Sequence, residues 1–169
     1  MDCLVACAPL RKRIAFVAGN DGFIQKALSG RKKGPTMASI HKDISIDATP
    51  NEVWDAVRDF GAVHTRLAPG FVTDTRLDGD ARIVTFANGN VAREVLIDCD
   101  DTRRRLVYAI ANERVSHYSA SVQIEADGET RSRMTWIVDV LPNAIAPYID
   151  GQMDLGALAM QKALGRKAA

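Results

Sequence analysis

Six stretches of alternating apolar and polar residues, most of them separated by very short turns, constrain the fold of this 169-residue chain more than any other feature. The turn sequences are Asp78-Gly79-Asp80, Asn88-Gly89-Asn90, Asp100-Asp101-Thr102 and Asp127-Gly128-Glu129. Connections this short force neighbouring strands to run antiparallel, because parallel strands need a long crossover between them. We predict a six-stranded antiparallel meander, with strands at 71–77, 82–87, 91–98, 104–112, 116–126 and 130–141.

The residues before this meander predict another strand, followed by two short helices. Isoleucines alternate with polar residues over 40–46, as they do in a strand with one buried face. Thr49 and Glu52 then have the spacing of a capping box, with Pro50 at the first helical position. A second short helical stretch ends at Pro69-Gly70. The first helix therefore begins directly after the first strand.

The residues after Pro142 predict one long helix. Apolar or small residues recur every three or four positions between Ile149 and Ala163. Gly151 and Gly156 lie inside this helix, and each costs about 1 kcal/mol relative to alanine. Close approach of the helix to the sheet would explain these glycines, and so would space left for a ligand.

The charge of the chain gives no indication of a nucleic-acid or membrane partner. Its 22 basic and 21 acidic residues leave a formal net charge of +1. The first apolar run ends at the basic cluster Arg11-Lys12-Arg13, well short of the roughly 20 residues that a membrane helix needs. We therefore expect neither nucleic-acid binding nor stable membrane insertion.

The cysteines and the motifs argue against a metal, a cofactor or a disulfide. Cys3, Cys7 and Cys99 are odd in number and lack the spacing of a zinc site, so we expect free thiols in a reducing, cytoplasmic compartment. The chain contains no H-E-x-x-H, no G-x-S-x-G and no glycine-rich phosphate loop. We predict no metal site and no cofactor.

Residues 1–36 differ from the rest of the chain. They contain seven Lys or Arg residues against two Asp residues, and they show no sustained helical or strand period. We predict a flexible basic extension, followed by a ligand-binding domain at 37–169. The codons for Lys32-Lys33-Gly34 are purine-rich and lie shortly before that for Met37, as in a bacterial ribosome-binding site. Met37 is therefore predicted to be the true start; the alternative is a genuine basic tail.

Four stretches resemble a known family: "ATPNEVWDAVRDFGAVHTRLAPG", "REVLIDCDDTRRRLVYAI", "HYSASVQIEADG" and "TWIVDVLP". Over roughly 38–164 the chain resembles the SRPBCC superfamily of START-like or birch-allergen-like proteins, and within it the polyketide cyclase/dehydrase and lipid-transport group. The resemblance implies an α+β helix-grip fold, in which a seven-stranded antiparallel sheet curves around one long C-terminal helix and two short helices follow the first strand. It does not imply one function, because proteins of this fold have diverged to many functions.

Alternation along the strands predicts which residues face the long helix. The inward sets form an apolar surface with a few polar groups, which suits a pocket for a small hydrophobic molecule; the alternative is a plain core. They are Phe71, Thr73, Thr75 and Leu77; Leu106, Tyr108 and Ile110; Tyr118, Ala120, Val122 and Ile124; and Met134, Trp136, Val138 and Val140. The predicted ligand-binding residues are His64, Phe71, Thr73, Thr75, Tyr108, Ile110, Tyr118, Ala120, Met134, Trp136, Met153, Gly156 and Met160.

The strand at 91–98 must turn either Arg93 or Glu94 inward, unless a bulge intervenes. By resemblance to "R-E-x-L" segments in the superfamily, one charged residue here faces the ligand, and we favour Glu94. His64, on the second short helix, is placed near the pocket mouth, where it would be either a hydrogen-bonding group or an ordinary surface histidine.

Three hypotheses for the function follow. The first is a binding module for a small hydrophobic molecule, such as an aromatic polyketide, a sterol-like compound or a quinone. The second is a cyclase or dehydratase with Glu94 as the base and Tyr118 as a catalytic donor, assisted by Tyr108 and Trp136. The third is a partner-binding domain with a vestigial pocket, which a large exposed apolar patch would favour.

Overall fold

The structure, a computed structural model, describes residues 37–165. In chain order these residues form β1 (Ala38–Ile46), α1 (Pro50–Arg58), a π-helical turn (Val63–Leu67), β2 (Val72–Asp78), β3 (Ala81–Phe86), β4 (Val91–Asp100), β5 (Arg105–Ile110), β6 (His117–Ala126), β7 (Ser132–Leu141), a 3-10 turn (Asn143–Ile145) and α2 (Ala146–Leu164). Seven antiparallel strands, two short helical segments after the first strand and one long C-terminal helix confirm the predicted fold class.

The strands form a single sheet in the order β1-β7-β6-β5-β4-β3-β2. Strands β2 to β7 are a meander, as the short turns predict, and β1 pairs with the last strand of that meander. The register places Ile40 opposite Val138 and Ile44 opposite Met134, and all four are buried. Because their side chains share one face of the sheet, β1 extends the apolar surface on which the helices pack.

Helix α1 begins at the predicted capping box. Glu52 Oε2 accepts from the backbone N–H of Thr49 at 2.8 Å, and Thr49 Oγ1 accepts from the backbone N–H of Glu52 at 3.5 Å. The helix buries Val53, Trp54, Ala56 and Val57. The Trp54 indole donates to Asp101 Oδ1 at 2.8 Å, and this bond ties α1 to the turn between β4 and β5.

The two glycines of α2 have different surroundings. A Cβ on Gly156 would lie 3.1 Å from Trp136 Cζ3 and 3.2 Å from Phe71 Cε1, so close approach to two rings explains the glycine there. A Cβ on Gly151 would meet no atom within 4 Å. Close approach therefore does not explain Gly151.

The predicted alternation along β2 is wrong at two positions. The register of β2 against β3 shifts between Val72 and Asp74. This irregularity buries Val72 in place of Thr73, which is exposed. Leu77 keeps the phase of the buried Thr75 but is exposed near the end of the strand, where its side chain lies beside Gly61. Short strands at a sheet edge commonly carry such bulges, and periodicity alone does not reveal them.

Several expectations concern residues outside the described part of the chain. The extension at 1–36, Cys3 and Cys7 lie there, and the start at Met37 stays a prediction. Cys99 is an exposed free thiol. Between residues 37 and 165, no helix has both the length and the apolar character to cross a membrane. In the same range no three His, Cys, Asp or Glu residues cluster closely enough to hold a metal ion.

Candidate functional site

A cavity of about 210 Å³ lies between the sheet and α2. Buried residues of α1 and the π-helical turn, Val57, Val63 and Leu67, form part of its wall. Most of the remaining wall is apolar and comes from β2 to β7 and α2. Eight of the residues proposed from the sequence line it: Phe71, Glu94, Tyr108, Ile110, Tyr118, Trp136, Met153 and Met160.

Three residues proposed from the sequence lie in the core rather than on the cavity wall. Ala120 is small and has Tyr108 and Val138 beside it on the neighbouring strands, and it is Tyr108 that reaches the cavity. Met134 is fully buried in the core. Gly156 is covered by the rings of Trp136 and Phe71, as described above.

Three further residues proposed from the sequence also lie off the cavity wall. Thr73 is exposed because of the irregularity in β2, and its hydroxyl donates to the backbone carbonyl of Thr85 at 3.1 Å. Thr75 is buried on the same edge strand without lining the cavity. His64 is half-buried on the π-helical turn, where the neighbouring Val63 supplies the side chain that lines the cavity.

The side chains of Arg93 and Glu94 lie on opposite faces of β4. Glu94 is 4% exposed and lines the cavity. Arg93 is on the opposite face of the sheet, where its Nε donates to Asp78 Oδ2 at 3.0 Å. The buried charge on this strand is therefore the carboxylate.

Arg82 of β3 is the partner of Glu94, and the sequence interpretation missed it. The register places the two residues directly opposite each other. Arg82 Nε and Nη2 lie 2.7 and 2.6 Å from Glu94 Oε2, and both residues are buried. Arg82 shares its phase with Val84 and Phe86, so the alternation of β3 contained the signal.

The guanidinium of Arg82 also contacts Phe60 and Tyr108. Its Nη1 donates to the backbone carbonyl of Phe60 at 3.2 Å. Its Cζ lies 4.0 Å from the centroid of the Phe60 ring and 5.3 Å from that of Tyr108. Arg82 therefore connects the segment after α1 to the cavity wall.

Tyr108, Tyr118 and Trp136 place polar groups near this ion pair. Burial raises the pKa of Tyr108 well above its ordinary value, and the negative charge of Glu94 raises it further. Burial, followed by the neighbouring Tyr108 and Glu94, likewise raises the pKa of Tyr118. Both phenols are therefore neutral hydrogen-bond donors at physiological pH. We call Arg82, Glu94, Tyr108, Tyr118 and Trp136 the polar cluster.

Trp136 and Glu94 also have unused hydrogen-bonding capacity. The Trp136 indole N–H is buried and makes no well-aligned hydrogen bond with the described residues, although the Tyr108 hydroxyl lies close enough to interact with it. Both N–H groups that Arg82 directs at Glu94 go to Oε2, which leaves Oε1 to accept from a ligand. Besides the two phenols, the cluster therefore offers the Trp136 N–H as a donor and Glu94 Oε1 as an acceptor to a molecule in the cavity.

Four polar side chains lie at the mouth of the cavity. Asn88 Nδ2 donates to Gln152 Oε1 at 3.0 Å, and Asn90 Nδ2 donates to the Tyr148 hydroxyl at 2.8 Å. All four line the cavity, and three of them are exposed. These bonds join the β3–β4 turn to the first turns of α2. We call Asn88, Asn90, Tyr148 and Gln152 the mouth.

Sequence comparison identifies the family. The model of the family described as polyketide cyclase/dehydrase and lipid transport matches residues 37–168. The chain belongs to this family. The match confirms the resemblance to the SRPBCC superfamily that the sequence motifs indicate. A search of curated protein sequences finds no match.

Solved structures of this family's fold resemble the chain at low sequence identity. An uncharacterised protein from Bacillus thuringiensis has a TM-score of 0.68 at 21% identity, covering 75% of this chain and 98% of its own. A START superfamily protein from Mycobacterium smegmatis has a TM-score of 0.62 at 11% identity, covering 75% and 96%. Norcoclaurine synthase from Thalictrum flavum, in complex with dopamine and hydroxybenzaldehyde, has a TM-score of 0.61 at 19% identity, covering 94% and 100%. At these identities the likeness shows the fold alone.

Proposed function

We propose that the protein binds a small, largely apolar molecule in the cavity between the sheet and α2. The observation that carries this proposal is the composition of the cavity wall. It is apolar over most of its area and contains a small polar cluster, which is typical of sites for small organic molecules. Norcoclaurine synthase, which has a similar fold, is seen in complex with two small aromatic compounds, and this likeness supports the proposal.

A neutral fluorescent lipophile, N-phenyl-1-naphthylamine, tests this proposal. We expect its fluorescence to rise on addition of the protein, because it moves from water into an apolar site. At a concentration about 100 times its dissociation constant, it should stabilise the fold by roughly 2.7 kcal/mol. Thermal unfolding measures that stabilisation as a rise in melting temperature of several degrees.

A pair of matched variants shows whether the dye binds in the cavity. Ala92 lines the cavity, so Ala92→Phe places a ring inside it. Ala126 is exposed at the end of β6, so Ala126→Phe adds the same ring outside. We expect Ala92→Phe to weaken dye binding strongly and Ala126→Phe to leave it unchanged. Equal binding by both variants would mean that the dye sits elsewhere, and the proposal would fail.

A second candidate function is catalysis of cyclisation or dehydration on a polyketide-like substrate. It is favoured by Glu94, a buried carboxylate on the cavity wall that also holds Tyr108, Tyr118 and Trp136. In this reaction Glu94 takes a proton from carbon next to a ketone, and Tyr118 and Trp136 donate to the enolate oxygen. The enolate carbon bonds to a second carbonyl carbon of the same chain, and the proton returns to the new alkoxide.

A simple diketone tests this second candidate. Intramolecular aldol condensation of 2,6-heptanedione gives 3-methylcyclohex-2-enone and water, and the product absorbs in the ultraviolet. We expect Glu94→Gln to abolish any acceleration by the protein, Tyr118→Phe to reduce it, and Glu125→Gln on the surface to preserve it. No acceleration by the wild-type protein, or full activity of Glu94→Gln, would leave binding as the function.

A further inference from the structure

The polar cluster also carries information about the chemistry of the ligand. We propose that the cavity takes a neutral ligand with a carbonyl or ether oxygen that accepts from Trp136 Nε1 and a hydroxyl that donates to Oε1 of Glu94. This inference rests on the proposed binding function and specifies it. It assigns Trp136 as a specificity-determining residue, in addition to its role in packing.

The indole of Trp136 supplies the first observation. Trp136 is 6% exposed and lines the cavity, and its N–H makes no well-aligned hydrogen bond among the described residues, with only the Tyr108 hydroxyl nearby. A buried donor without an acceptor is costly, so native structures rarely leave one unpaired. The other tryptophan, Trp54, does have a partner, because its N–H donates to Asp101 Oδ1 at 2.8 Å. A ligand oxygen in the cavity would give the Trp136 N–H the acceptor it lacks.

Glu94 supplies the second observation, which is independent of the first. A carboxylate has two oxygens that can each accept more than one hydrogen bond. Arg82 engages only Oε2, through Nε and Nη2, at 2.7 and 2.6 Å. The hydrogen bond and the short ion-pair contact from Arg82 both go to Oε2, which leaves Oε1 to accept from a ligand. A ligand hydroxyl is the neutral group that fits this oxygen.

The charge balance of the polar cluster requires a neutral ligand. Arg82 and Glu94 cancel each other, and Tyr108 and Tyr118 remain protonated at physiological pH. An anionic ligand would approach the Glu94 carboxylate, while the rings of Phe60 and Tyr108 lie over the guanidinium that would attract it. An anion buried beside the polar cluster would be strongly disfavoured, because Arg114, the other cation that lines the cavity, is at an exposed position. We therefore expect the cavity to discriminate against carboxylates of the same size.

Three naphthalene compounds of similar size test the acceptor and the charge. They are 2-ethylnaphthalene, which has no oxygen, 2-acetonaphthone, which is a neutral ketone, and 2-naphthoate, which is an anion. Each competes against N-phenyl-1-naphthylamine. One good hydrogen bond should make the ketone bind roughly three- to tenfold more tightly than the hydrocarbon. We expect the naphthoate to bind more weakly than the ketone.

Two tryptophan variants show which indole recognises the ketone. Trp136→Phe should abolish the preference for the ketone over the hydrocarbon, while the hydrocarbon still displaces the dye. Trp54→Phe removes an indole whose N–H is bonded outside the cavity, so it should keep the full preference. The inference is wrong if Trp136→Phe keeps the preference, or if the naphthoate binds as tightly as the ketone.

The role of Glu94 needs a variant that keeps the cavity neutral. The double variant Arg82→Met/Glu94→Met removes both charges together, and exchange of a buried ion pair for apolar residues commonly preserves folding. A positional series of hydroxy-2-acetonaphthones should contain an isomer that binds the wild type roughly three- to tenfold more tightly than 2-acetonaphthone. That gain should disappear in the double variant. An equal gain in both proteins would overturn the assignment to Glu94.

The outcomes separate this inference from the proposed function. If the dye and all three naphthalenes fail to bind, the proposed function fails and the inference fails with it. If the hydrocarbon binds and the ketone has no advantage, the cavity is a lipophile site and only the inference fails.

Discussion

The polar cluster and the mouth both place hydrogen-bonding side chains on the same cavity, but they differ in burial. Arg82 and Glu94 are 6% and 4% exposed, and their ion pair is reinforced by two aromatic rings and a backbone carbonyl. The mouth makes two hydrogen bonds of similar length between mostly exposed side chains. Similar distances therefore carry very different energies in the two regions.

Burial decides this difference because side chains at the mouth are more exposed to water than those of the polar cluster. A lost mouth bond is replaced by a bond to water, so its net contribution is small. A lost partner in the polar cluster leaves a buried charge on a mostly apolar cavity wall, where the loss of solvation is costly. We therefore expect the polar cluster to determine stability and ligand chemistry, and the mouth to determine how quickly ligands enter and leave.

The largest expected effect is that of breaking the buried ion pair. Arg82→Met leaves the Glu94 carboxylate buried without its partner and should lower the free energy of unfolding by about 3–5 kcal/mol. Arg133→Met, which breaks the exposed pair with Glu125, is the control and should have little effect. Urea unfolding measures both. Arg82→Met/Glu94→Met should recover most of the loss; an Arg82→Met protein as stable as the control would contradict the account.

The next effect is a loss of stability at alkaline pH. Burial raises the folded-state pKa of Tyr108 and Tyr118, so the folded protein retains two protons that the unfolded chain loses near pH 10. Stability should therefore fall as pH rises above about 10, by about 1.4 kcal/mol per pH unit for each tyrosine. Unfolding measured at a series of pH values should show that the stability of Tyr108→Phe falls less steeply above pH ~10 than that of the wild type. Tyr148→Phe at the mouth should follow the wild type, and identical slopes in all three proteins would refute this reading.

Alanine in place of each of the two glycines of α2 should change the stability of the protein in opposite directions. Gly156→Ala places a methyl group 3.1 Å from the Trp136 ring, which is buried and cannot move freely, and we expect a loss of about 1–2 kcal/mol. Gly151 lies between Tyr148 and Gln152 of the mouth and has open space around it, so Gly151→Ala should gain up to about 1 kcal/mol from helix propensity. Thermal unfolding of both variants checks the signs. A higher stability of Gly156→Ala would show that the Trp136 and Phe71 rings move aside at little energetic cost.

The smallest effect on stability is expected at the mouth. Asn88→Ala and Asn90→Ala should each cost less than about 1 kcal/mol, because their bonds are exposed. Both should raise the association and dissociation rates of N-phenyl-1-naphthylamine in stopped-flow fluorescence, with little change in its dissociation constant. Asn51→Ala, at the start of α1 and away from the cavity, is the control. Unchanged rates would mean that ligands enter by another route.

The sequence predicts the fold well because its local signals agree with each other. Alternation, short turns and the capping box at Thr49 all act over a few residues, so they are readable without the rest of the chain. The irregularity in β2 that exposes Thr73 depends on how that edge strand pairs with β3, and no local pattern in 71–77 reveals it.

The site is only partly predictable because it depends on contacts between strands. Phase leads to Tyr108 and Trp136 and leaves Arg93 and Glu94 as alternatives, but Arg82 becomes significant only when the β3–β4 register places it opposite Glu94. His64 illustrates the opposite case, because the π-helical turn directs Val63 into the cavity wall instead. Side-chain direction in such a turn follows from packing, which a single sequence does not give.

The central claim is that a molecule in the cavity meets the unpaired N–H of Trp136, and one titration tests it directly. The chain has two tryptophans, so an amide and indole ¹H–¹⁵N spectrum contains two indole signals, one for Trp54 and one for Trp136. On addition of 2-acetonaphthone, we expect the Trp136 signal to shift strongly as its N–H gains an acceptor. The Trp54 signal should stay in place, because its N–H already donates to Asp101. A Trp136 signal that stays in place at saturating ketone would contradict the account.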